Sequence, residues 1–355
     1  MFNVPSLIVL QLLEQCNLRC TMCYEWGQHG SFHDKDKLAT LDIDVALRII
    51  NECGVYHPKF EFFGGEPLLY PDVWRLIQCC RDNGCELAFS TNGTVLEKYA
   101  RQLVEHAPTR LWVSLDGTSA INNQQRGRGV FERAMSGLKA VAEMKAIKQS
   151  RYPELGITYV VTPLNFHCVE AFFLEQLDLN AIDCVSIELQ SYLTQAQSDA
   201  YRVLLAERFA VKQAVCAQPY VRDVGFFQGI DIVSLTQQLS AIASVCQQRG
   251  IVFHCQPNVI SVENIEHYFS ANWQQLSEYK TRCAVPWLTA EISARGEVST
   301  CHSFYDVSLG NVYQDSLLTI WRGEKTKQWR EYLRTALLPV CTACCRYYNA
   351  EVVFT

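Results

Sequence analysis

Cys16-Asn17-Leu18-Arg19-Cys20-Thr21-Met22-Cys23-Tyr24 is the run that decides how this chain is read. Three residues separate the first two cysteines and two separate the second pair. Three thiolates this close can hold three irons of a cubane iron-sulfur cluster, which leaves the fourth iron without a protein ligand. An open metal position is what chemistry needs, because a substrate or cofactor can bind there. Two plainer readings compete. Cys20 and Cys23 alone suit half of a zinc site or a redox pair. A closed zinc site, however, needs a fourth ligand, usually from a second CxxC, and a redox pair has no use for Cys16.

Working outward, Leu7 to Leu13 is a short apolar run that reads as a buried strand. Phe60-Glu61-Phe62-Phe63 reads as a second strand and runs straight into Gly64-Gly65-Glu66-Pro67. Two glycines at a strand end let backbone groups approach a ligand closely, and Glu66 offers an acceptor for an ammonium group. A third strand, Leu87 to Phe89, ends in Ser90-Thr91-Asn92-Gly93. A fourth, Leu111 to Val113, ends in Ser114-Leu115-Asp116-Gly117. Polar residues thus recur at the carboxyl ends of successive strands, where α/β folds place their sites.

The CxxxCxxC run at 16–23 and the GGEP run at 64–67 together resemble the radical S-adenosylmethionine (SAM) superfamily, from about residue 7 to about residue 190. The resemblance implies a partial (β/α)6 barrel. It implies that Cys16, Cys20 and Cys23 bind a 4Fe-4S cluster whose fourth iron is chelated by the amino and carboxylate groups of SAM. It assigns Gly64, Gly65, Glu66 and Pro67 to the methionine amino group and Met22 to an apolar contact with adenine. Ser90, Asn92, Ser114 and Asp116 fall where ribose and carboxylate contacts are often found, and Arg126 is a carboxylate partner. The implied chemistry is reductive cleavage of SAM to a 5′-deoxyadenosyl radical, which takes a hydrogen atom from an unactivated C–H bond.

Composition agrees. The 355 residues are 49% hydrophobic with a net charge of −6, so nucleic acid is not the default partner. No secretion signal is visible and no run reaches the ~18 apolar residues of a membrane-spanning helix. Seventeen cysteines without such a signal argue for thiolate ligation in a reducing, cytoplasmic compartment. Helix-compatible stripes at Asp44–Cys53, Asp72–Cys80 (with Asp72 as cap), Glu97–Glu105, Phe131–Met144 and Val169–Leu177 alternate with the strands. Gly156 to Thr162 and Cys184 to Leu189 supply the fifth and sixth strands. The expected domains are a barrel over 1–194, a mainly helical connecting segment over 195–280, and a small cluster domain over 281–355.

Cys53, Cys79, Cys80, Cys85, Cys168, Cys184, Cys216, Cys246 and Cys255 read as small core hydrophobes. Among the eight histidines, His302 beside Cys301 is the best candidate to lie near a metal, with packing or solvent exposure the favoured reading. The C-terminal cysteines differ. Twelve residues separate Cys283 from Gly296 and four more separate Gly296 from Cys301; Cys341, Cys344 and Cys345 follow. A hairpin over Ile292 to Thr300, turning at Arg295-Gly296, brings Cys283 towards Cys301, and four thiolates can close a cluster. This segment resembles the SPASM/twitch extensions of radical SAM enzymes. Ten residues follow Cys345, so the shorter twitch form with one auxiliary 4Fe-4S cluster is expected, on Cys283, Cys301, Cys341 and Cys344, with Cys345 as substitute. Structural zinc on the same thiolates is the rival.

A closed auxiliary cluster suits acceptance of a second electron, hence two-electron oxidation or bond formation. The substrate is expected to be a small natural-product intermediate or a ribosomal peptide side chain, contacted by Glu188 and Gln190 at the end of the sixth strand. The missing peptide-recognition domain in front of the barrel favours the small molecule. Flavodoxin or ferredoxin is the expected electron donor. A redox-neutral epimerase or mutase and a non-catalytic iron-sulfur or zinc scaffold are the alternatives.

Overall fold

The computed structural model describes residues 3–349. Seven parallel strands follow one another along the chain: β1 Leu7–Leu13, β2 Lys59–Gly64, β3 Leu87–Thr91, β4 Arg110–Ser114, β5 Glu154–Val161, β6 Cys184–Leu189 and β7 Val252–Gln256. They pair in sequence order. The chain then returns to the other edge, where β8 Thr289–Ile292 lies parallel to β1, with Leu7 opposite Thr289 and Leu10 opposite Ile292. β9 Glu297–Ser299 and β10 Gly310–Asn311 continue antiparallel, so one sheet of ten strands runs from the cluster hairpin to β7. The partial barrel expected from the sequence is present. A seventh strand extends it, inside the segment expected to be mainly helical.

Alternation along each strand sets two faces. Phe60 and Phe62 of β2, Ile157 and Tyr159 of β5, and Ile187 and Leu189 of β6 are almost fully buried. The intervening Phe63, Val160 and Glu188 line the interior of the barrel mouth. Helices cover the other face. Ile43–Gly54 starts at Asp42, whose carboxylate accepts from the amides of Asp44 and Val45. Val73–Asp82 starts at Asp72, but that side chain caps nothing; it pairs with Arg75 at 3.1 Å, a correction to the expected cap. Leu96–His106 and Val130–Lys148 pack closely enough that a Cβ on Gly137 would stand 2.5 Å from the Leu96 Cβ. The expected helix over 169–177 exists only as a short α-turn, Val169–Ala171, running into a π-turn, Phe172–Gln176.

Beyond β6, Gln195–Phe209 opens with a capping box between Thr194 and Gln197, and Ile232–Arg249 is capped by Asp231. Leu317–Arg322 and Glu324–Thr335 back the cluster hairpin, with the Trp329 indole donating to Thr300 Oγ1 at 3.0 Å. Cys53, Cys80, Cys85 and Cys246 are buried among apolar neighbours, as small hydrophobes are; Cys184 is buried too, within reach of the charges of Arg110, Glu154 and Asp183.

Candidate functional site

β1 delivers the chain to its cysteines along a fixed track. Glu14, just past the strand, is anchored through its carboxylate by Lys35 at 3.0 Å, Arg295 at 2.9 Å and the Ala39 amide at 2.8 Å. Its carbonyl accepts the Trp26 indole N–H at 2.8 Å. Between those anchors the cysteines turn tightly: the Cys23 amide donates to the Cys20 carbonyl, and the Thr21 amide donates to the Gln125 carbonyl at 2.9 Å. Two sulfurs already receive amide donors, Cys16 Sγ from Leu18 at 3.4 Å and Cys23 Sγ from Trp26 at 3.3 Å. Such N–H···S bonds favour thiolate. Burial opposes it, pushing Cys16 up to about 12 and Cys20 up to about 11; Cys16 also feels the charges of Cys20 and Cys23, and Cys20 that of Cys23. Buried, crowded thiols of this kind ionise when a positive metal supplies the counter-charge.

The end of β2 comes against this turn. Gly64 has φ +130°, and a Cβ on Gly65 would lie 2.1 Å from the Gln15 carbonyl oxygen and 2.8 Å from the Cys16 nitrogen. The glycine pair is therefore demanded by the backbone that carries Cys16, besides any ligand. Glu66 turns its carboxylate to the end of β3, accepting from Thr91 Oγ1 at 2.8 Å, the Asn92 amide at 2.8 Å and the Leu68 amide at 3.1 Å. Burial nevertheless pushes its pKa up to about 7, those three donors only partly offsetting the loss of water. Asn92 also donates to Asn17 at 2.8 Å, tying β3 to the cysteine run. At the end of β4 the buried Asp116 accepts from Arg126 Nε at 2.5 Å and from the Val160 amide at 2.8 Å. The Arg126 carbonyl stands 3.9 Å from Cys20 Sγ.

Cys16, Cys20, Cys23, Met22, Gly64, Gly65, Glu66, Ser90, Asn92, Ser114, Arg126 and Glu188 line a single cavity of about 330 Å³ at the carboxyl ends of the strands. Pro67, Asp116 and Gln190 do not line it. Pro67 is buried in a helical turn behind Glu66, Asp116 lies beneath Arg126, and Gln190 faces a neighbouring cavity with its Oε1 unpaired. The far wall contains residues the sequence reading did not select: Tyr24, Glu25, Cys216, Tyr220, Ser303 and Tyr305. Tyr24 stacks on Tyr220 with ring centroids 3.8 Å apart, and its hydroxyl donates to the Ser191 carbonyl. Glu25 accepts from Gln11 Nε2 at 2.9 Å, and burial pushes it up to about 7. The place of Glu25 two residues after Cys23 was a usable signal; Cys216, Tyr220 and Tyr305 come from loops that only tertiary folding brings here. Burial also raises the Glu188 pKa, with Arg346 and His302 opposing.

The C-terminal cysteines gather on the same side. Gly296 turns the β8–β9 hairpin at φ +80°. Cys301 feels the charges of Cys341, Cys283 and Cys344, and Cys341 those of Cys283 and Cys344. The Cys345 thiol bonds to Cys344, lowering Cys344, and Cys345 itself lines the central cavity. His302 lines it too, bonded to Glu291 at 3.0 Å, while Arg346 pairs with Glu61 of β2 at 2.5 Å. Among the described residues, no three His, Cys, Asp or Glu side chains close on a single-ion centre. Cysteines of one cluster bind separate irons and need not meet at a point, so both thiol groups fit a cluster better than one zinc. All seventeen cysteines are free thiols.

Residues 10–173 match the radical SAM superfamily, and residues 283–345 match the iron-sulfur cluster-binding SPASM domain. The tungsten-containing aldehyde ferredoxin oxidoreductase cofactor-modifying protein of Pyrococcus furiosus is 24% identical over 361 residues, 95% of this chain and 86% of that protein. The AdoMet-dependent heme synthase of Methanosarcina barkeri is 33% identical over 145 residues, a match that spans 40% of each chain. The crystal structure of Streptococcus suis SuiB bound to S-adenosylmethionine superposes with a TM-score of 0.65 at 16% identity, over 98% of this chain and 74% of that one. At that identity the likeness is one of fold. Among the described residues, no helix is long and apolar enough to cross a membrane.

Proposed function

Because this chain belongs to the radical SAM superfamily and ends in a SPASM domain, a family that binds SAM, a 4Fe-4S cluster and auxiliary iron-sulfur clusters, we propose that it oxidises or cross-links a substrate after hydrogen-atom abstraction. The observation that carries this reading is the one cavity lined jointly by Cys16, Cys20, Cys23, the Gly64–Glu66 run and the ends of β3 and β4. When bound, SAM and the cluster supply a 5′-deoxyadenosyl radical.

The chain's own part is holding, orienting and excluding. Cys16, Cys20 and Cys23 are the ligands of the SAM-binding cluster, and the amides of Leu18 and Trp26 orient two of the sulfurs. Gly64 and Gly65 give the methionine end of SAM access to backbone, with Glu66 fixing the neighbouring end of β3. Met22 would pack on adenine, while Ser90, Asn92 and Ser114 would offer polar contacts to ribose and carboxylate. Asp116 acts indirectly, keeping Arg126 turned towards the cysteines. The Tyr24–Tyr220 stack and Tyr305 give the same cavity an aromatic wall, which displaces water from it. Cys283, Cys301, Cys341 and Cys344 would hold one auxiliary cluster, which would supply an acceptor for the second electron.

The substrate is a small natural-product intermediate or a peptide side chain. The curated relatives are named for modifying a metal cofactor and for making heme, which supports small-molecule chemistry. Reconstitution without oxygen, reduction with dithionite and addition of SAM tests the reading. Formation of 5′-deoxyadenosine is expected, and its loss when Cys16, Cys20 and Cys23 are replaced together. A fully iron-loaded protein that releases none defeats it.

A further inference from the structure

The reading of the cavity as a radical site leaves open what enters it, and the charges around it bear on that question. Among the described residues, each carboxylate or cation on the cavity wall has a hydrogen-bonding protein partner except one. Glu66 accepts three hydrogen bonds. Arg126 is paired with Asp116, His302 with Glu291, and Glu25 accepts from Gln11. Glu188 lines the same cavity, yet no described residue donates a hydrogen bond to its carboxylate.

The cations whose charge acts most on Glu188 are Arg346 and His302: Arg346 gives Nη2 to Glu61 at 2.5 Å while its Nε stays unpaired among the described residues, and His302 pairs with Glu291 at 3.0 Å. Around the barrel mouth, Glu61, Glu188 and Glu291 share the charges of Arg346 and His302, while Lys35 acts on Glu25 and Arg126 is taken by Asp116. The backbone holds Glu188 where it is. Its Cα is paired with Val160 on β5 and Gln256 on β7, and its neighbours Ile187 and Leu189 are locked into the core on the opposite face. A carboxylate taken out of water without a donor is costly. A rigid strand that keeps one facing the reaction space is built for a ligand that brings the missing charge. The methionine ammonium of SAM is provided for at the end of β2, four strands away along the sheet.

We propose that Glu188 determines specificity by ion-pairing a cationic nitrogen of the substrate, so that the substrate class is amine-bearing. This rests on the cavity being the site proposed above. Isothermal titration of the unreduced, reconstituted holoenzyme in the presence of SAM compares matched probes. One pair is D-glucosamine and D-glucose; the other is a lysine-containing hexapeptide and the same peptide acetylated on lysine.

The amine member of at least one pair is expected to bind about 10-fold tighter or more, with Glu188→Gln bringing that pair within about threefold and Glu188→Asp keeping the order. Equal affinity within both pairs, binding of none of the four probes, or an amine preference that survives Glu188→Gln overturns the proposal. The wild-type comparison stands even if a variant fails to fold. Release of 5′-deoxyadenosine by the wild type is scored separately. Release without amine preference sinks this inference alone; no release from iron-loaded protein sinks the functional reading, while the titration still reports on Glu188.

Discussion

Replacing Asp116 by alanine strands a guanidinium inside the barrel. Asp116 is fully buried and Arg126 is 8% exposed, and their 2.5 Å contact is the ion pair joining the end of β4 to the helix Ser119–Arg126. Removing one partner of a buried pair costs about 3–5 kcal/mol, because the other charge stays uncompensated. The same carboxylate accepts the Val160 amide at 2.8 Å, and an unsatisfied buried donor costs about 1–3 kcal/mol. The two losses share one side chain and do not add fully, so Asp116→Ala is expected to lose about 4–6 kcal/mol. Marginal proteins have about 5–15 kcal/mol in total, which makes this variant close to unfolded. Arg126→Met in the same chain removes the stranded charge and is expected to restore about 2 kcal/mol or more. Urea unfolding of the metal-free protein, followed by circular dichroism and tryptophan fluorescence, measures all three. A loss under about 1 kcal/mol for Asp116→Ala, or a double variant no more stable than the single one, refutes the reasoning.

Gly65→Ala drives a methyl into the Gln15 carbonyl and Cys16 amide; it is expected to cost about 2 kcal/mol and to cut iron uptake on reconstitution, and unchanged melting and iron content would contradict the close approach. Replacing Cys16, Cys20 and Cys23 with alanine is expected to lower iron from about eight to about four per chain, as is replacing Cys283, Cys301, Cys341 and Cys344; a set whose removal leaves iron unchanged was not a ligand set. Glu154 sits below the usual carboxylate range: burial pushes it up, but hydrogen bonds and charge from Arg110 and Arg151 outweigh this. Its stabilisation is therefore present above the unfolded pKa of roughly 4.3 and disappears as pH falls through the lower folded value. Glu154→Gln should lose about 0.5–1 kcal/mol at neutral pH and approach the wild type as pH falls below the folded value; a gap in urea midpoint that persists in acid would assign the effect to packing.

The barrel was legible where strands announce themselves. Leu7–Leu13 and Cys184–Leu189 were read with their observed ends, because each is an apolar run that the core buries on one face or both. β7 escaped: Val252, Phe253 and His254 stay partly exposed, and its partner lies 68 residues earlier, so neither hydrophobicity nor local pattern marks it. Asp72 had the right residue type for a cap, but Arg75 competes for the carboxylate. The half of the site on β1–β4 was readable because its residues follow strand ends directly. The other wall was not: Cys216 is drawn in when Asp306 accepts the amides of Val215 and Cys216, a contact across ninety residues that no motif encodes.

The pairing of β8 with β1 has a mechanical corollary. The hairpin between Cys283 and Cys301 is stitched edge to edge onto the strand that leads to Cys16, with the Ser6 amide donating to the Leu288 carbonyl at 2.8 Å. Cys16 and the Cys283–Cys301 hairpin thus ride one sheet. On the ligand assignment proposed above, strand register sets the spacing between the two metal-binding regions.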